Sequence, residues 1–124
     1  CFISKTSAQC VKGNCHRGHG TFNWESGHVY AGSWSNGLPS GYGDFFYDNG
    51  DTYKGQFVKG KKAGNGRYTW KSGNYYDGSW SEDKASGRGK YHWAKEGATF
   101  EGNFKDGQIT NIEVGVVVET PEKD

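Results

Sequence analysis

Sixteen of the twenty aromatic residues of this 124-residue chain fall on four positions of a repeat about 23 residues long. Tyr30, Tyr53, Tyr76 and Phe100 form one series; Trp34, Phe57, Trp80 and Phe104 a second; Phe22, Phe45, Tyr68 and Tyr91 a third; Trp24, Tyr47, Trp70 and Trp93 a fourth. The glycines keep the same register. Gly18, Gly41, Gly64 and Gly87 are followed two residues later by Gly20, Gly43, Gly66 and Gly89. Gly27, Gly50, Gly73 and Gly97, and likewise Gly32, Gly55, Gly78 and Gly102, repeat with one inserted residue between Trp93 and Gly97. Gly37, Gly60 and Gly107 make a fifth set, with Asp83 in place of its third member. Composition bias would scatter glycine, whereas a fixed period marks a stacked array of small units. Such an array offers an extended surface, and its chemistry is more often recognition than catalysis.

Each unit reads as two strands and two turns. In a strand, alternate residues share a face, so Tyr30, Gly32 and Trp34 point one way and Ala31 and Ser33 the other. Ser35–Gly41 reads as a loop rich in turn formers. Gly43–Tyr47 is the second strand, and Asp48-Asn49-Gly50-Asp51 closes the unit with an Asn-Gly hairpin signal in which both positions tolerate positive φ. Glycine interrupts every window of helical length, and the apolar period of 3.6 is absent. Connections this short exclude parallel crossovers. The fold class is therefore all-β: an elongated, twisted, single-layer antiparallel meander of stacked hairpins. Glycine hollows covered by rings would stand in for an aliphatic core in a chain with one leucine, Leu38, and no methionine.

The segment Tyr30-Ala-Gly32-Ser-Trp34-Ser-Asn-Gly37-Leu-Pro-Ser-Gly41-Tyr-Gly43 resembles a MORN repeat (membrane occupation and recognition nexus). Tyr53-Lys-Gly55-Gln-Phe57 through Gly64-Asn-Gly66 is a closer match, and Tyr76-Asp-Gly78-Ser-Trp80 through Gly87-Arg-Gly89 is a third copy that departs at Asp83. Phe100-Glu-Gly102-Asn-Phe104 begins a fourth that stops before its Gly-x-Gly, and Gly18-His-Gly20-Thr-Phe22-Asn-Trp24 is the back half of one before the first. The resemblance implies scaffolds and recognition surfaces for proteins, and in some members binding of phospholipid headgroups. Choline-binding repeats are also short aromatic hairpins, but their Trp-Tyr-Tyr cluster has no counterpart beyond Tyr75-Tyr76.

The chain divides into residues 1–15, a tether or cap; 16–108, the repeat array; and 109–124, a capping strand over Ile112–Val118 followed by a polar tail. Cys10 and Cys15 flank four residues that include Gly13. A disulfide, free thiols and a zinc site with His16 and His19 are the three readings; the spacing departs from the common Cys-x2-Cys pattern, and a disulfide between Cys10 and Cys15 is expected. A chain beginning at Cys1 looks like a mature bacterial lipoprotein, with Cys1 as lipid anchor; an arbitrary truncation is the rival. Export to the bacterial periplasm or a membrane-anchored place in the envelope follows from the first reading, and a cytoplasmic fragment from the second.

A formal net charge of +1 supplies no field that would draw nucleic acid. Each Gly-x-Gly leads into a strand, whereas a dinucleotide site needs one that opens a helix. No nucleophile–base pair or carboxylate dyad stands out, so the chain reads as non-catalytic, with no cofactor and no metal. His92 reads as a solvated side chain on a polar strand face. Lys54, Lys59, Lys61 and Lys62, with Arg67 and Lys71, form the only notable charge cluster; they would contact lipid headgroups or serve as solvated residues that discourage edge pairing. The expected function is a scaffold for a protein or peptide along the aromatic face, with Trp34, Tyr53, Phe57 and Trp80 as contacts through partly exposed ring edges. The alternative is direct recognition of a phospholipid headgroup or an envelope glycan.

Overall fold

The computed structural model describes residues 8–109. They form one ten-stranded sheet with strands in sequence order. The strands are β1 (Gln9–Gly13), β2 (Gly18–Asn23), β3 (Val29–Ser35), β4 (Leu38–Phe46), β5 (Thr52–Val58), β6 (Lys61–Thr69), β7 (Tyr75–Ser81), β8 (Lys84–Trp93), β9 (Ala98–Lys105) and β10 (Gln108–Ile109). Every neighbouring pair is antiparallel. At about 4.8 Å per strand the sheet is roughly 43 Å across. Cys1 and the Ile112–Val118 segment lie outside the described residues, whereas Gln9–Gly13 joins the sheet as its first strand.

The register explains the glycine period. Gly20, Gly32, Gly43, Gly55, Gly66, Gly78, Gly89 and Gly102 pair with one another strand after strand, a single glycine row that runs from β2 to β9. A Cβ on Gly43 would collide with the ring of Tyr30; Gly66 stands in the same relation to Tyr53, and Gly89 to Tyr76. Each tyrosine thus lies flat across the row, and its hydroxyl donates to a carbonyl three residues on: Ser33, Gln56 and Ser79, each at 2.9 Å. The ring is buried and its one polar atom is satisfied, so a single layer acquires a core. The other face carries a row of charges, with Tyr42 and Phe46 exposed beside Asp44. Asp44, Lys54, Arg67, Asp77, Lys90 and Glu101 lie opposite one another across six strands. Asp44 pairs with Lys54 at 3.4 Å and Asp77 with Arg67 at 2.9 Å. His92, half-buried on this face, stacks on Tyr75 at 5.0 Å and meets the Thr99 hydroxyl at 3.0 Å.

Two turn assignments differ from the sequence reading. Ser35–Gly41 is not a loop: only Asn36 and Gly37 turn, both with positive φ, and Leu38–Gly41 already belongs to β4. The strand absorbs its extra residues in a bulge between the Gly32–Gly43 and Trp34–Pro39 pairs. That bulge recurs in each later unit, between Gly55 and Phe57 and between Gly78 and Trp80. At Asn49-Gly50, only Gly50 has positive φ. The Gly50 N–H donates to the Tyr47 carbonyl at 3.1 Å, and the Tyr47 N–H to the Asp51 carbonyl at 3.0 Å. This is the longer hairpin in which one left-handed residue follows the turn, whereas Asn36-Gly37 is the two-residue form with both residues left-handed.

Both margins of the sheet are stitched from one unit to the next. At one margin the N–H groups of Gly37, Gly60, Asp83 and Gly107 donate to the carbonyls of His16, Pro39, Lys62 and Ala85, at 2.8–3.1 Å. At the other, the N–H groups of Asp48, Lys71 and Ala94 donate to His28 Nδ1, Asp51 Oδ1 and Asn74 Oδ1, at 2.8–3.0 Å.

Candidate functional site

The four ring series separate by depth. Tyr30, Tyr53, Tyr76 and Phe100 are 0–6 % exposed, and Trp34, Phe57, Trp80 and Phe104 are 3–9 % exposed. Trp34 and Trp80 also donate their indole N–H to the carbonyls of Gly20 and Gly66, each at 3.0 Å. Trp34, Tyr53, Phe57 and Trp80, read from the sequence as contacts, therefore lie in the core with little ring area left over. The partly open edges belong to the third and fourth series: Phe22, Trp24, Phe45, Tyr47, Tyr68, Trp70 and Trp93 are only partly buried against that core.

These seven half-open rings and the buried Tyr91 form one row. Phe22, Trp24, Phe45, Tyr47, Tyr68, Trp70, Tyr91 and Trp93 follow one another with ring centroids 4.5–5.5 Å apart. The spacing follows from the repeat. Two positions on one strand give the shorter step within a unit, and the turn brings the fourth series of one unit against the third series of the next. Alongside, Asn49, Asp51, Trp70, Lys71 and Ser72 line an open groove of ≈ 660 Å³. Asp51 is 3 % exposed and fully partnered: Oδ2 accepts from the Tyr68 hydroxyl at 2.6 Å and Oδ1 from the Lys71 N–H at 2.8 Å.

The lysines do not converge. Lys54 is on the charge-bearing face with Asp44, Lys61 meets Glu82 at 2.9 Å, and Lys59 sits in a turn. Lys62 is different. It stands opposite Phe57, where the other units have Pro39 opposite Trp34 and Ala85 opposite Trp80. Its ammonium lies 5.4–5.8 Å from the ring centroids of Tyr47, Tyr53, Tyr68 and Trp80, donates to the Tyr47 hydroxyl at 3.3 Å, and is 3.6 Å from Asp83 Oδ1. Burial pulls the Lys62 ammonium below the usual lysine range, and Asp83 opposes that shift. Asp83, the one break in the glycine set, thus has a partner: besides facing the ammonium it accepts the Lys62 N–H at 2.8 Å. It keeps the left-handed φ of the glycines it replaces, 72° against 83° at Gly60.

The pairing of Lys62 with Asp83 was missed in sequence because the two are 21 residues apart, close to one period but not on matching positions. The stitching acceptors His28, Asp51 and Asn74 were missed although they are spaced by 23 residues; their chemical types differ, so a search for identical residues passes over them. Cys10 and Cys15 are joined in a disulfide. Among the described residues no group of three or more His, Cys, Asp or Glu side chains converges as metal ligands would.

The MORN-repeat family model matches three consecutive segments, residues 30–52, 53–75 and 76–97. No curated protein matches the chain.

Proposed function

The chain belongs to the MORN-repeat family, a family of non-catalytic repeat modules, and on that premise we propose that it is a scaffold that holds a protein or peptide partner along the row of half-open rings. The observation that carries this reading is the unbroken eight-ring row, with seven members only partly buried. Tyrosine and tryptophan with one face packed and one edge wet are favoured at interfaces. Trp34, Tyr53, Phe57 and Trp80 act as the rigid floor beneath the row. Trp24 and Trp70 are the residues to change, because each is half-open and neither holds a hydrogen bond that stitches units together. A Trp24→Ala, Trp70→Ala variant with an unchanged far-ultraviolet spectrum is expected to lose partner in pull-down from its native extract by tenfold or more; equal recovery sinks the proposal.

A glycan is the second reading, supported by the Trp70 ring standing beside Asn49, Asp51 and Ser72 in the open groove. Titration with soluble envelope glycans checks it, with Trp70→Ala as control. Lipid-headgroup binding has weaker support, since Lys54, Lys61 and Lys62 each face a carboxylate; anionic liposomes should not sediment the protein when Cys1 is replaced. Export belongs to the same proposal: the Cys10–Cys15 disulfide suits an oxidising compartment, and metabolic labelling with palmitate tests Cys1 as the anchor.

A further inference from the structure

The fourth ring series is the part of the row that stays open in every unit. Trp24, Tyr47, Trp70 and Trp93 are each only partly buried, whereas the third series closes at Tyr91. They stand as rungs, one per unit. Ring centroids along the row are 4.5–4.8 Å apart within a unit and 5.3–5.5 Å apart between units. A unit is two strands wide, so successive rungs are about 9.6 Å apart across the sheet. The two inner rungs, Tyr47 just past β4 and Trp70 just past β6, have described strands on both sides.

That step selects a ligand backbone. A polyproline II helix rises about 3.1 Å per residue and presents the same side every third residue, about 9.3 Å on. Three residues of an extended strand cover about 10 Å but then show the opposite face. Two turns of α-helix advance about 10.8 Å and overshoot by about 1 Å. Polyproline II is the closest match, and aromatic-lined grooves recognise such preformed, low-entropy segments. The ring-bearing face already seats one proline of this chain, since Pro39 is buried opposite Trp34.

Charge adds a second requirement. The Lys62 ammonium is taken up by Asp83 and the surrounding rings. Asp51 turns its oxygens inward, to the Tyr68 hydroxyl and the Lys71 N–H. Lys71 is exposed beside Trp70 on the wall of the open groove, and its ammonium has no ion pair among the described residues. The accessible charge at the inner rungs is therefore positive.

We propose that the segment held on the inner rungs is a proline-rich stretch in the polyproline II conformation, with prolines stacked on Tyr47 and Trp70 and an acidic side chain meeting Lys71. This rests on the ring-row reading above and adds the class of partner to it.

The test is fluorescence anisotropy of the full chain with the labelled peptide Pro-Pro-Gln-Pro-Pro-Glu-Pro-Pro. Trp70→Ala should weaken binding about tenfold, and Trp70→Phe, which keeps a ring, should retain most of it. Lys71→Ala should weaken binding about threefold, and that loss should vanish when the peptide's Glu is replaced by Gln. Both variants should keep the far-ultraviolet spectrum of the parent. A peptide with alanine in place of every proline should bind at least tenfold more weakly. No binding of the proline peptide, equal binding of the alanine peptide, or affinity indifferent to Trp70→Ala or Lys71→Ala would each overturn the proposal. If the Trp24→Ala, Trp70→Ala variant loses its native partner while the parent ignores the proline peptide, the ring row stands and only this inference falls. If that variant keeps its native partner, the ring-row reading falls, and this inference with it.

Discussion

At the scale of single residues the molecule depends on one fit, a ring lying in a glycine hollow, and two residues that modify it. Gly66 is buried beneath Tyr53. A methyl group there must displace the ring or the strand, and Gly66→Ala is expected to lower unfolding free energy by about 1–3 kcal/mol in urea titration. Lys62 and Asp83 give a finer test. Asp83→Asn keeps an acceptor for the Lys62 N–H and tolerates the left-handed backbone, but removes the charge facing a buried ammonium. A loss of about 1 kcal/mol is expected, kept small because Asp83 is itself half-exposed. In a Lys62→Met background the same change should have almost no effect, and a double-mutant cycle showing no coupling would mean that the rings alone hold the lysine. The ring series and the glycine series were both legible in the sequence, since identical residues recur at one spacing. The ammonium among four rings was not, because it arises where a single unit departs from the pattern and a second departure compensates it.

At the scale of the element, hairpins are joined by their turns. Asp51 is the clearest of the stitching residues, with the Tyr68 hydroxyl and the Lys71 N–H both on its carboxylate. Asp51→Ala removes the acceptor shared by the Asn49 amide, the Tyr68 hydroxyl and the Lys71 N–H and should cost about 1–3 kcal/mol. Faster hydrogen exchange at Lys71 is the specific readout, and an unchanged rate there would refute the stitch. Asp51→Asn retains one acceptor and should lose less. The turns also show why boundaries were harder to read than strands. Asn36-Gly37 and Asn49-Gly50 are the same dipeptide, yet one makes a two-residue turn with both φ positive and the other a longer turn with only Gly50 left-handed. The difference lies in the bulge of β4 and in the contacts each turn makes with the next unit, both of which are set by pairing rather than by local preference.

At the scale of the whole molecule, tyrosines that must stay neutral tie stability to alkaline pH. Burial raises the Tyr30 and Tyr76 hydroxyls from 10 to about 12, and raises Tyr47 and Tyr53 further. In the unfolded chain these groups lose their protons near 10, so above that pH the unfolded state binds fewer protons than the folded one. Stability is then fully present below pH 10 and lost as pH rises through 12. The melting temperature should fall over that window while tyrosinate absorbance lags behind that of the denatured protein. Tyrosinate appearing at its ordinary pH in the folded state would contradict the burial of the hydroxyls. The array also rises or falls together, because each unit completes the core of its neighbour.

The sequence by itself determined the repeat, the strands, the antiparallel meander and the pairing of rings with glycines. Those follow from periodicity, alternation and short connections, which are properties of the chain read in order. Only the tertiary structure decided which rings are core and which stay half-open. Depth depends on what the neighbouring strands lay over each ring: Trp34, Tyr53, Phe57 and Trp80 are enclosed, whereas in the third and fourth series only Tyr91 is buried and the other seven rings stay partly exposed. For the same reason the sequence marked Lys62 as basic and solvent-facing, and the fold turned it into a cation held within a cluster of four aromatic rings.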